Sequence, residues 1–264
     1  MQLFQLRRDI KKSAYYGALA LAFLTMLGGW WLLSLVLHGE QAVFIPSPQR
    51  VLAAAGELIH DDEFFLDVRM SFLRVTGGFF LAAALAIPLG IFMGSYRIVE
   101  GLLQPLTEFF RYIPVPAMIP ILMLLFGIGE TSKMMLIFLG TFFQLVLMVA
   151  DEIRRVPYEL IMVGYTLGAS KREVIRRILL RAAMPGIFDA LRLCNGWAWT
   201  YLVVAELIAA NEGLGYRILK FSRFLQTPKI FVYLILLGIL GLSLDYIFRK
   251  LNERLFHWAD TTKR

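Results

Sequence analysis

Ala14 to Leu37 is an uninterrupted apolar run without a single charged residue, about the length one helix needs to cross a bilayer. Nothing else constrains the fold so tightly. Backbone in hydrocarbon must satisfy all of its own N–H and C=O groups, which leaves only helices or closed barrels. The run is too long for the core of a secretory signal and ends in bulky residues, so it reads as an uncleaved first span. Apolar stretches recur at about Ser71–Gly94, Leu102–Phe126, Met134–Ala150, Ile187–Ala210 and Phe231–Phe248. They predict an all-α polytopic membrane protein of about six transmembrane helices. A composition of 58% hydrophobic and 18% charged residues agrees with that class.

The charge pattern supplies topology. A net charge of +7 could suggest nucleic acid, but the basic residues sit between the apolar runs, where they orient spans. Arg7, Arg8, Lys11 and Lys12 place the N-terminus in the cytoplasm, and Arg249, Lys250, Arg254, Lys263 and Arg264 place the C-terminus there too. The organisation expected is a cytoplasmic segment over 1–13, one transmembrane domain over 14–256 and a cytoplasmic tail over 257–264. His38 to Asp67 is acid-rich, with Glu40, Glu57, Asp61, Asp62, Glu63 and Asp67 against Arg50, and should face outside. Beyond Pro46 and Pro48, the spacing of Val51, Leu52, Ala55, Leu58 and Ile59 predicts a helix lying on the membrane. Asn211–Lys229 carries Arg217, Lys220, Arg223 and Lys229, basic for an outer segment. Either it is external or the span count is off by one; external, beside Arg111, it would suit an anionic solute.

Chemistry-bearing clusters are few. Cys194 is the only cysteine and lies in an apolar run, and His38, His60 and His257 are far apart, so neither a disulfide framework nor a metal site is indicated. Gly127–Lys133, GIGETSK, lacks the spacing of a phosphate-binding loop. Any ATP chemistry would then belong to a partner.

The longest polar interruption is Pro157–Pro185, and it reads as a helical elbow. Pro157 suits a first helical turn, Tyr158 to Leu167 contains no breaker except Gly164, and Gly168 stands where a left-handed residue ends a helix. Ser170 and Glu173 form an S-x-x-E capping box, which predicts a second helix over about Lys171–Ala182. Val174 and Ile178 share one side of it, with Leu167 a further candidate, while Lys171, Arg172, Arg176 and Arg177 face largely away. Such a knob calls for a socket. The alternative is a basic amphipathic segment resting on anionic headgroups.

Two runs carry polar groups at membrane depth. Arg111, with Pro114, Pro116 and Pro120, interrupts the third. Broken backbone survives there only in protein or beside water, and a mid-membrane arginine costs at least about 2.5 kcal/mol. Arg111 therefore either pairs with a counter-charge or faces a solute route. The fifth run holds Asn195, Trp197, Trp199, Thr200, Tyr201 and Glu206. Glu206 would be the partner of Arg111 or lie exposed at the interface, and Trp197 is too central for an aromatic belt. Arg111, Pro114, Trp197 and Glu206 are the candidates for a translocation pathway. Gly90 and Gly94 form a G-x-x-x-G, expected to serve packing within the subunit.

The elbow resembles the cytoplasmic loop of ATP-binding-cassette (ABC) importer permeases, Glu-Ala-Ala, three residues, Gly, nine residues, Ile, any residue, Leu, Pro. Gly168, Ile178 and Leu180 occupy matching places, whereas Met162, Val163 and Gly164 replace Glu-Ala-Ala and Arg181 replaces Pro. FIPSPQRVL (Phe44–Leu52), RYIPVPAMIP (Arg111–Pro120), FGIGETSK (Phe126–Lys133), TLGAS (Thr166–Ser170) and VAELIAANEGLGYRI (Val204–Ile218) resemble the nitrate, sulfonate, taurine and bicarbonate branch. The resemblance spans Phe44–Arg254. It implies two copies of the permease, two cytoplasmic ATPase subunits docked on elbow residues Gly164, Leu167, Gly168, Ala169, Ser170, Glu173 and Ile178, and an extracytoplasmic solute-binding protein. It further implies a bacterial or archaeal inner-membrane location, no cofactor on this chain, and ATP–Mg on the ATPase. A stand-alone transporter or channel would call for paired intramembrane acids or inverted repeats, and a membrane enzyme for clustered catalytic groups; the sequence offers neither.

Overall fold

The computed structural model describes residues 11–37 and 43–259. Among these residues eleven α-helices follow in order: α1 (Lys12–Val36), α2 (Pro48–Ile59), α3 (Asp62–Ser95), α4 (Arg97–Arg111), α5 (Ile119–Phe126), α6 (Glu130–Arg154), α7 (Tyr158–Thr166), α8 (Lys171–Glu173), α9 (Leu180–Ala209), α10 (Leu214–Arg223) and α11 (Thr227–Leu255). The expected all-α membrane fold is borne out. Arg7, Arg8, His38, Glu40, Lys263 and Arg264, on which parts of the topology rest, lie outside the described residues.

The chain forms two compact units. The first comprises 1–61 and 220–232. In it α1 is apolar around its whole circumference, as a helix facing lipid should be. Trp30 on α1 stacks on Phe231 at 5.5 Å and donates its indole N–H to the Pro46 carbonyl at 3.0 Å. Ser47 caps α2 ahead of Pro48, Val51 and Leu58 are buried, and Leu52 and Ile59 are exposed. The helix expected from the spacing is present, but its buried side is Val51, Ala54 and Leu58, and two residues of the expected apolar set, Leu52 and Ile59, lie off it.

The second unit comprises 62–219 and 233–264, and α6 lies at its centre, packed against α3 and α9. The α3–α6 contact is set by a stripe of small residues every fourth position: Gly78, Ala82, Ala86, Gly90 and Gly94. A Cβ on Gly78 would stand 2.8 Å from Ile137 Cβ. One on Gly90 would stand 2.7 Å from the Val146 carbonyl oxygen, and one on Gly94 2.7 Å from that of Ala150. Removing side chains lets the two backbones meet, which supplies dispersion where the hydrophobic effect is weak. Gly90 and Gly94 thus serve packing inside the subunit.

Three sequence expectations need correcting. The run Leu102–Phe126 is not one straight span: α4 and the 3-10 and α5 segment Val115–Phe126 meet at 89°. Pro114 and Pro116 remove backbone donors there, and Arg97, Glu100, Gln104 and Glu108 give α4 a polar face at helical spacing. Second, the elbow's second helix does not end near Ala182. Lys171–Glu173 passes through a π-helical segment, Val174–Leu179, into α9, which carries Pro185 within it. Third, Leu167 is 81% exposed, because the turn at Gly168 swings it away from Val174 and Ile178.

Among the described residues, α1, α3, α6 and α11 are long and apolar enough to cross a membrane, and the bent α4–α5 pair makes a fifth if it is one broken span. α9 is 30 residues long but carries Asp189, Arg192, Asn195 and Glu206.

Candidate functional site

The elbow is built from local chemistry. Pro157 sits just before α7 and accepts from the Leu160 N–H at 3.2 Å. At the other end the Gly168 N–H donates to Tyr165 and the Ala169 N–H to Gly164, at 2.9 and 3.0 Å. With Gly168 at φ +81°, this is a Schellman closure, which left-handed glycine permits without strain. Ser170 then starts the next helix. Its N–H donates to Glu173 Oε2 at 3.0 Å, and the Glu173 N–H returns to Ser170 Oγ at 3.4 Å. The Ser170 backbone and hydroxyl hydrogen bonds hold the Glu173 carboxyl below its usual range. Gly164, where the family pattern has alanine, lies under Ile178; a Cβ there would also come within 3.2 Å of Val174. Tyr158, Met162, Val163, Tyr165 and Leu167 remain exposed. Lys171 lies 4.5 Å over the Tyr96 ring at the end of α3. A capped turn with an apolar outer surface is thereby fixed to one long helix, α9, and touches another.

A cleft of about 240 Å³ opens between α4, α6 and α9. Arg111, Gln144, Trp197, Thr200 and Tyr201 line it together with aliphatic and phenyl side chains, and among the described residues no carboxylate does. Arg111 is exposed. Its guanidinium reaches Gln144 Oε1 at 3.4 Å and the Tyr112 hydroxyl at 2.9 Å, and stacks 4.7 Å from the Tyr112 ring centroid. These contacts orient the charge without cancelling it. Pro114 caps the 3-10 turn whose Val115 forms part of the wall.

Glu206 is elsewhere, fully buried and not beside Arg111. Its partner is Arg74 of α3, whose Nη1 donates to Glu206 Oε1 at 2.7 Å while Nε and Nη2 grip Glu130 at 2.5 and 2.8 Å. Ser71 donates to both Glu206 oxygens, and the Gly215 N–H to Oε2 at 2.8 Å. Lys133 donates to Glu130 at 2.7 Å. Beside this, Asp67 accepts from the Gly213 N–H at 2.6 Å and from Arg217 Nε, while Arg217 also pairs with Glu63 at 2.6 Å. Gly213 has φ +114°, and a Cβ there would press on Glu206 and stand 2.6 Å from Arg74 Nη1. Arg217 is therefore committed to acids and is not free to draw an anion; Lys229 pairs with Glu57 at 3.5 Å. FGIGETSK and VAELIAANEGLGYRI, far apart in sequence, meet in this one network. The sequence counts Asp67 only as one acid of an outer segment and does not single out Arg74; the available signal was an arginine inside the Ser71–Gly94 run.

A helical membrane bundle with a capped elbow leading into a long helix, and a cleft beside a broken helix, defines a transport subunit. Residues 86–257 match the family model described as the inner membrane component of binding-protein-dependent transport systems, and the chain belongs to that family. A protein of Brucella abortus (strain 2308), described as a probable ABC transporter permease, is 38% identical over 240 residues, 91% of this chain and 94% of its own. The taurine transport system permease protein TauC of Escherichia coli (strain K12) is 33% identical over 238 residues, 88% of this chain and 86% of its own. The structure of the MetNI methionine ABC transporter in an inward-facing conformation matches 78% of this chain and 96% of its own chain, with TM-score 0.61 and 19% identity, a likeness of fold. The chain is thus an ABC importer permease subunit of the inner membrane, a transport component.

Proposed function

We propose that this permease passes a small anion through the Arg111 cleft, driven by ATPase subunits seated on the elbow. The observation that carries the reading is Arg111 itself: a guanidinium in a cleft of about 240 Å³ whose lining, among the described residues, contains no carboxylate. An intramembrane charge left without a counter-ion favours an anion in that space. The sulfonate of taurine, named in one relative's title, has the matching charge; nitrate, bicarbonate and other sulfonates share it.

The remaining assembly follows from the elbow and the family. Two copies of the chain pair, each takes one cytoplasmic ATPase subunit on Tyr158, Met162, Val163 and Leu167, and an extracytoplasmic binding protein delivers the solute. ATP–Mg stays on the ATPase. Counting α9 and the broken α4–α5 pair gives six spans with both termini in the cytoplasm. Rigid capping at Gly168 and Ser170 suits the elbow to transmit force, since α9 runs from it to the Trp197–Tyr201 wall of the cleft. Glu206 is reassigned from the pathway to the scaffold.

The test is ATP-dependent uptake by the reconstituted complex with its binding protein. Arg111→Ala is expected to abolish uptake while the complex assembles normally; unchanged uptake removes Arg111 from the route.

A further inference from the structure

A second cavity, about 760 Å³, opens at the base of the elbow between α7, the π-helical segment, the start of α9 and the chain after α11. It is roughly 25 times the ~30 Å³ share of one liquid water, too large for a simple ion. Its walls are mostly apolar, including Ile178, Met184, Phe256 and Trp258, and among the described residues its charged lining is Arg177 and Arg181. Phe256 is buried and stacks edge-on against both Phe188 and Trp258, at 5.8 and 5.5 Å, so the floor is fixed. Among the described residues, Glu173 stands 3.9 Å from Arg177 and is already engaged in the Ser170 cap.

Apolar walls with an exposed tryptophan and two arginines fit one kind of occupant. We infer that the groove is a binding site for an anionic phospholipid, its phosphate on Arg177 and Arg181 and its acyl chains along Ile178, Met184, Phe256 and Trp258. Anionic headgroups attract basic residues at the inner leaflet, and tryptophan favours the headgroup level. The lipid would brace the joint between elbow and α9. The inference rests on the elbow lying at the cytoplasmic face, but not on the solute or on Arg111.

The test is lipid retention measured by native mass spectrometry. The full chain, with its ATPase where it co-purifies, is taken from nanodiscs of equal phosphatidylglycerol and phosphatidylcholine. The choline of phosphatidylcholine offsets its phosphate, whereas phosphatidylglycerol keeps a net negative charge, so two arginines imply a preference for phosphatidylglycerol of roughly 25-fold. Arg177→Gln with Arg181→Gln should bring it to about parity with unchanged melting. Arg172→Gln with Arg176→Gln, exposed arginines outside the groove, should leave it intact. Equal loss in both double variants would mean diffuse surface attraction and overturn the site. Retention unchanged in the groove variant, with ATPase co-purification lost instead, would assign the groove to the ATPase and overturn it as well.

Discussion

Arg74 and Arg111 are both arginines set among apolar residues, and their surroundings differ in every respect. Arg74 is 1% exposed and holds Glu130, Glu206 and the Glu212 carbonyl at 2.5–2.8 Å. Arg111 is exposed in a cleft, and its hydrogen-bond partners among the described residues are the neutral Gln144 and Tyr112. A charge whose valence is saturated by acids and backbone cannot also greet a solute. One left with neutral partners retains its field. On the proposed reading the comparison separates scaffold from route, and Glu206, held by Arg74, goes with the first.

Variants can break that comparison, taken here by expected loss of stability. Arg74→Leu leaves two carboxylates without their partner and should cost about 3–5 kcal/mol, read as a large drop in detergent melting temperature or loss of expression; wild-type melting would dissolve the scaffold assignment. Gly213→Ala forces a Cβ onto Arg74 and Glu206 at a left-handed φ and should cost ~1–3 kcal/mol. Gly168→Val, with open space around it but φ +81°, carries only the backbone strain of roughly 1–2 kcal/mol. Its signature should be reduced ATPase co-purification or coupling, and normal transport would sink the elbow model. Ser170→Ala removes one cap, about 1 kcal/mol. The same cap has a pH signature. Because Glu173 is depressed in the fold, its contribution is present above the ordinary carboxylate range and is lost as pH falls through its lowered value. Acid melting of Glu173→Gln should therefore show a weaker pH dependence than wild type. Arg111→Ala comes last, within about 0.5 kcal/mol, as for an exposed side chain.

The elbow was legible because each part is local. Gly168, Ser170 and Glu173 act on residues within five positions, and a capping box read in sequence is the capping box observed. The small-residue stripe was half legible: Gly90 and Gly94 stood out, while Gly78, Ala82 and Ala86 needed α6 beside them. The network was illegible because its bonds join Asp67 to Gly213 and Ser71 and Arg74 to Glu206, pairs that no local pattern links. The breaks at Pro114 and Pro116 were visible, but the 89° bend depends on where α4 lays its polar face. Leu167 was misplaced because it caps α7 ahead of the left-handed Gly168, so the register of Val174 and Ile178 does not extend back to it.

Uptake and stability measured on the same Arg111→Ala preparation test the central claim most directly. Binding-protein-delivered, ATP-dependent uptake of a small anion should fall to background while melting temperature and subunit composition match wild type. Uptake at the wild-type rate, or a loss of uptake that merely follows collapse of the complex, would contradict the division between a saturated scaffold arginine and a free one on the route.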